Sequence, residues 1–174
     1  MSHIFGKLIQ TAYVVPDIEA ALKHWTENLG IGPWFYRELV PIEIFMYRGE
    51  PSDLKMSIAL GYSGDMQYEL IQQRNDAPSV YKEFIETIGY GQQHLGFEVD
   101  DLDASIETGR GLGYQIEQEG TITNSGSFAY MSKGDFPGTM IEFLPMPEAR
   151  RKSWATIQSW SVGWNGSDPV RASF

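Results

Sequence analysis

Cysteine is absent from the 174 residues, so no disulfide framework, thiolate metal site or cysteine nucleophile is available. That absence fits a reducing compartment, and a cytoplasmic location is the expectation. Positive charge is scarce: 13 Lys and Arg stand against 23 Asp and Glu, for a formal net charge of -10 and a pI near 4.7. Such a field repels phosphate backbones and anionic lipid, which excludes nucleic acid and membrane surfaces as natural partners. No run approaches the roughly 20 apolar residues that a membrane helix needs. The opening Met-Ser-His-Ile-Phe-Gly-Lys holds no long apolar stretch before a small-residue cleavage site, so no export signal is expected. There is no Gly-x-Ser-x-Gly elbow for acyl transfer and no glycine loop followed by Lys and Ser or Thr to cradle a phosphate.

What is present is the composition of a globular protein, 42% hydrophobic, with aromatics spread along the chain. This length supports one compact unit, or two small modules around a shared core. Two modules are visible in the pattern. Gln10-Thr-Ala-Tyr-Val-Val-Pro-Asp17 aligns with His94-Leu-Gly-Phe-Glu-Val-Asp-Asp101: each is a β-rich run ending at an Asp suited to cap a helix. An apolar residue follows each cap, Ile18 or Leu102, and an Ala sits three positions beyond the cap. The first helix is expected to bury Ile18, Ala21, Leu22, Trp25 and Leu29 and to stop at Gly30; the second to bury Leu102 and Ile106 and to stop near Gly113.

After each helix come short strand-like runs, at 34–39, 42–48, 54–62 and 66–72 in the first half and 114–122, 127–132 and 139–144 in the second. Turn residues separate them at Ser63-Gly64-Asp65, Asn124-Ser125-Gly126 and Lys133-Gly134-Asp135. The first half carries one run more than the second, and its place in the meander is open. The expected division is a first module at 7–74, a linker segment at 75–90 with a helix over 79–88, a second module at 91–146 and an extension at 147–174.

Strand parity sorts the chemistry-bearing residues. Gln10 shares a face with Leu8, Ala12 and Val14, and His94 shares one with Gly96 and Glu98. Glu69 and Glu142 each interrupt an apolar run, Tyr-Glu-Leu-Ile and Met-Ile-Glu-Phe-Leu, at equivalent places in the last strand of their halves. A carboxylate there either faces water at a sheet edge or is buried, and a buried one needs a partner or a cation.

Four motifs carry a resemblance to the vicinal oxygen chelate superfamily, which includes glyoxalase I, methylmalonyl-CoA epimerase, extradiol dioxygenases and bleomycin-resistance proteins. They are Gln10-Thr-Ala-Tyr-Val-Val-Pro-Asp-Ile-Glu-Ala-Ala21, Gln67-Tyr-Glu-Leu-Ile-Gln72, Gln93-His-Leu-Gly-Phe-Glu-Val-Asp-Asp101 and Gly138-Thr-Met-Ile-Glu-Phe-Leu144. The resemblance implies an α+β fold of paired βαβββ modules, whose curved sheets form a cup around a metal. Here the fold would carry a C-terminal helical extension. Its metal ligands come from the first and last strand of each module, which implies Gln10, Glu69, His94 and Glu142. That set resembles one branch of glyoxalase I. It departs from the epimerase branch at the first two positions, and it lacks the first His of the iron dioxygenases.

Three oxygen donors and one imidazole suit one divalent ion, Zn, Ni, Co, Mn or Mg, without selecting among them. The implied activity is that of a metal-dependent lyase or isomerase of glyoxalase or epimerase type. It moves a proton α to a carbonyl through a metal-stabilised enediolate or enolate, with Glu142 as base and Glu69 as its counterpart. The alternatives are a non-catalytic small-molecule binder of bleomycin-resistance type and, less favoured, an extradiol-type dioxygenase.

Other features read more plainly. His24, beside Trp25, is expected at the helix surface. Trp34, Phe35, Tyr36, Phe45, Tyr47, Phe128 and Tyr130 divide between core and pocket, with core the better assignment for each. Arg37, Arg48, Arg74 and Arg110 fit no motif that would identify a glutathione site. In the extension, 148–160 has helical composition, with Trp154, Ile157 and Trp160 near one face. Cover for that stripe is expected from its own module or from a second copy in a homodimer, rather than by lying across the cup. A small-molecule carbonyl compound is the expected substrate.

Overall fold

The computed structural model describes residues 2–134 and 138–172. In the first half, β1 (Lys7–Val14) leads into α1 (Ile18–Leu29), then β2 (Trp34–Arg37), β3 (Ile42–Tyr47), β4 (Glu50–Pro51), β5 (Met56–Ser63) and β6 (Met66–Gln73). The linker helix α2 (Val80–Thr87) precedes β7 (Gly91–Val99), α3 (Leu102–Gly111), β8 (Gln115–Ile122), β9 (Gly126–Ser132) and β10 (Met140–Pro145). The chain finishes with α4 (Glu148–Ser161) and β11 (Val170–Arg171).

The helix starts follow from local chemistry. Asp17 accepts from the Ala20 amide at 2.8 Å, and Asp101 accepts from the Ala104 amide at 3.0 Å. Caps of this kind stabilise a helix by about 1 kcal/mol each. α1 ends where Gly30 adopts φ 66°, a left-handed conformation that glycine reaches without strain. α1 buries Ile18 and Leu22 against Trp34, Ala59 and Leu70, while α3 places Ile106 against Met131, Ile141 and Phe143. Leu29 lies on the same face of α1 but is exposed and stands outside that cluster.

One curved, unclosed sheet runs β11-β2-β5-β6-β1-β7-β10-β9-β8-β3-β4. The two halves meet at the antiparallel β1–β7 ladder, and each lays its last strand parallel to its first, β6 on β1 and β10 on β7. The order β2-β5-β6-β1 thus mirrors β8-β9-β10-β7, the paired βαβββ arrangement expected. Parity is clean. Ala59, Ala129 and Met131 face the helices, whereas Ile58, Leu60, Phe128 and Tyr130 face the inside of the cup.

The extra run of the first half does not stay in the first meander. β3 pairs antiparallel with β8 of the second half, covering a strand edge that would otherwise stand open. β11 does the same for β2 at the other end. The stripe on α4 also finds its cover differently from expectation. α4 does pack on its own chain, yet in doing so it lies across the cup. Arg150, Trp154 and Ile157, spaced i, i+4 and i+7, share one hollow with the inner-face residues Gln10, Glu69 and Glu142. Ile157 joins the inner cluster because the cup's apolar walls are the surface within reach of that face. Asp135, expected in the third turn, lies outside the described residues. Among the described residues no helix is long and apolar enough to cross a membrane.

Candidate metal centre

Register builds the site from four strands. Across the β1–β7 ladder Gln10 stands opposite Gly96, and Ala12 stands opposite His94. The parallel ladders add Glu69 beside Ala12 and Glu142 beside Gly96. Directly opposed residues share a face, so all four candidates point into the cup. Ala12 and Gly96 are the small residues between them.

Glu69, His94 and Glu142 converge. Their ligand atoms lie within 4.8 Å of one another, the described group of at least three such residues that could hold an ion. His94 Nε2 stands 3.5 Å from Glu69 Oε2 and 3.3 Å from Glu142 Oε2, with all three side chains nearly or wholly out of solvent. Burial alone lowers the imidazole pKa, but hydrogen bonds to Glu142 and Glu69 and their charges outweigh it and raise it to about 9. Burial and the neighbouring Glu142 charge push Glu69 above the usual carboxylate range, against the lowering effect of His94.

Gln10 sits on the same face, and a chain of amides fixes its orientation. Gln67 Nε2 donates to the Tyr62 hydroxyl at 2.7 Å, and Gln67 Oε1 accepts from Gln10 Nε2, also at 2.7 Å. Gln10 Oε1 is therefore left over: buried, and without a hydrogen-bond partner. A buried orphan acceptor beside two carboxylates and an imidazole nitrogen fits a cation, which satisfies the oxygen without a donor.

Two residues of the centre were not identified from sequence. Gln93 is the extra residue where the β1–β7 register shifts, between the pairs Ala12–His94 and Tyr13–Gln92. The bulge turns Gln93 beside its neighbour, and Gln93 Oε1 lies 2.7 Å from His94 Nδ1. A carbonyl oxygen only accepts, so Nδ1 carries the hydrogen and Nε2 faces the carboxylates. Tyr130, opposite Glu142 on β9, sets its hydroxyl 3.4 Å from His94 Nε2 and accepts from Tyr81 at 2.9 Å. Burial, with the charges of Glu69 and Glu142, keeps both tyrosines protonated. From sequence Tyr130 divides between core and pocket, with core preferred; its pairing opposite Glu142 brings it to His94.

The hollow above the centre has a volume of about 230 Å³. Gln10, Glu69 and Glu142 form its floor, and Phe35, Leu60 and Phe128 stand in its walls, so two aromatics assigned to core also line the cup. Of the unassigned arginines, Arg37 is at this hollow, while Arg48 pairs with Glu83 and Glu117, Arg74 with Glu19 and Arg110 with Glu107. A larger hollow of about 780 Å³ beside α2 contains none of the four candidate ligands.

The sequence profile of the Glyoxalase/Bleomycin resistance protein/Dioxygenase superfamily matches residues 9–130, more than half of the chain. The chain belongs to that superfamily. No curated protein matches its sequence. Solved structures share the superfamily fold at low identity. A methylmalonyl-CoA epimerase from Mycobacterium tuberculosis superposes with a TM-score of 0.59 at 20% identity, over 89% of this chain and 96% of that one. A hypothetical protein from Bacillus halodurans gives 0.62 at 18% identity, over 82% and 95%. A variant of the Streptomyces coelicolor methylmalonyl-CoA epimerase, in complex with 2-nitronate-propionyl-CoA, gives 0.54 at 14% identity, over 83% and 96%. Within this superfamily member, β10, α4 and β11 lie beyond the span that the profile matches.

Proposed function

We propose that Gln10, Glu69, His94 and Glu142 hold one divalent ion and that the cup moves a proton at a carbon next to a carbonyl. This is the chemistry of an epimerase, an isomerase or a glyoxalase-type lyase. The observation that carries the reading is that two carboxylates, from equivalent strands of two halves, approach one imidazole nitrogen at 3.3 and 3.5 Å, with all three side chains nearly or wholly out of solvent. The epimerase fold of the structural neighbours supports the isomerase side.

When bound, an ion of this kind supplies positive charge that stabilises the negative charge developing on a carbonyl oxygen. The chain's own groups do the rest. Glu142 accepts the proton, and Glu69, the equivalent carboxylate of the other half, is the counterpart that can return one. Gln93 holds the His94 ring in one tautomer, and the apolar walls keep competing water from the reacting carbon.

Incubation in heavy water with hemithioacetals, 2-substituted acyl thioesters and hydroxyketones tests this, with α-deuteration followed by NMR. Exchange is expected for at least one class and is lost in Glu142→Gln. A panel with no exchange, alongside tight binding that survives Gln10→Ala and Glu142→Ala, replaces this reading with a sequestering protein.

A further inference from the structure

The least expected charge in the molecule is Arg150. It sits on α4, is only 2% exposed, and lines the hollow above the candidate metal centre. Its Nε donates to Ser125 Oγ at 3.2 Å, its Nη1 to the carbonyls of Ser127 at 3.1 Å and Pro145 at 2.6 Å, and its Nη2 to the Gly126 carbonyl at 3.0 Å. These four bonds draw on the five N–H donors of a guanidinium. Every acceptor is neutral. Hydrogen bonds to neutral groups hold Arg150 in place, but they do not cancel its charge, and a buried charge without a counter-ion is costly.

The negative charge that acts on Arg150 comes from Glu142 and Glu69, the carboxylates on the floor of the same hollow. In the metal-free chain they balance it at a distance. Once both are committed to a divalent ion, their charge is spent, and the cup is left with one buried positive charge, Arg150; Arg37 also lines the hollow but is exposed, where solvent screens it. A single negative charge on the ligand restores the balance. Phe35, Leu60, Phe128 and Ile157 make an apolar stretch of the wall, beside polar Thr123, Asn124 and Ser153, and the volume of about 230 Å³ lies below the roughly 300–1,000 Å³ that encloses drug-sized ligands.

We infer that Arg150 is the anion anchor of the cup, and that the substrate is a compact monocarboxylate with an apolar body, seated under α4. The inference rests on the proposed metal-dependent reading of the same centre. It also assigns a role to the extension, since the anchor comes from α4 and not from a strand of either module. A glutathionyl or coenzyme A arm would have to extend beyond this volume.

Calorimetric titration of the zinc-loaded chain with phenylacetate, 4-methylpentanoate and the two corresponding amides tests the anchor, with zinc content measured on the same samples. The acids are expected to bind roughly tenfold tighter than the amides, or more. That preference is expected to disappear in Arg150→Gln and to persist in Arg150→Lys, which keeps the charge. With one zinc bound, equal binding of acid and amide by the unmodified chain overturns the anchor alone, as does no binding of either. A preference that survives Arg150→Gln also overturns it, since the carboxylate then sits on the ion or at Arg37. A chain that takes up no zinc overturns the reading of the centre as well.

Discussion

A β-carbon placed on Gly96 would lie 2.7 Å from Gln10 Oε1 and 2.9 Å from Gln10 Cβ. The glycine is what leaves room for the Gln10 amide to stand beside Glu142, as Ala12 does between His94 and Glu69. Gly96→Ala therefore overpacks the floor of the cup. It is expected to cost about 1–3 kcal/mol in chemical denaturation and to weaken metal uptake by displacing Gln10. An alanine variant with unchanged stability and unchanged affinity contradicts the packing described for this pair.

The pH dependence of the metal-free chain follows from two groups whose shifts agree in sign. His94 is raised from 6.5 to about 9, so its contribution to stability is full below pH 6.5 and is lost as pH rises towards 9. Glu69 is also raised, so its protonated form favours the fold at acid pH and that contribution too is lost as pH rises. Thermal midpoints of the metal-free chain are expected to fall from pH 6.5 to 9. An ion must displace the His94 proton, so stabilisation by added zinc grows over the same interval, with proton release visible by calorimetry in buffers of different ionisation enthalpy. A metal-free chain that becomes more stable with rising pH contradicts the burial of this triad.

Gln93 would act on a bound ion through His94, whose Nδ1 it holds at 2.7 Å. Gln93→Leu removes the acceptor that fixes Nδ1–H, and outer partners of this kind are worth about 10–100-fold in metal affinity. The expected result is weaker binding at unchanged stoichiometry. An unaltered dissociation constant in a competition assay would remove Gln93 from the centre.

Much of the architecture could be read from sequence because it rests on local rules. Asp17 and Asp101 cap helices wherever such helices sit, and Glu69 and Glu142 interrupt apolar runs at equivalent places in the last strand of each half. The approach of Glu69, His94 and Glu142 follows from the equivalence of the two halves. What escaped depends on distant partners. β3 reads as an ordinary strand, and nothing in its own residues says that it pairs with β8. The bulge that presents Gln93 arises from the β1–β7 ladder and has no mark in either strand alone. Arg150 reads as one member of a basic cluster with Arg151 and Lys152. Its burial depends on three carbonyls, two at the start of β9 and one at the end of β10, brought under α4 only when the sheet curves.

Equilibrium metal binding tests the account most directly: zinc, cobalt, nickel or manganese titrated into the metal-stripped chain, with content read by elemental analysis after desalting. One ion per chain is predicted, with the site lost in His94→Ala and weakened in Gln10→Ala. No ion retained with any of these metals, or one retained equally by His94→Ala, contradicts a metal centre built on Gln10, Glu69, His94 and Glu142.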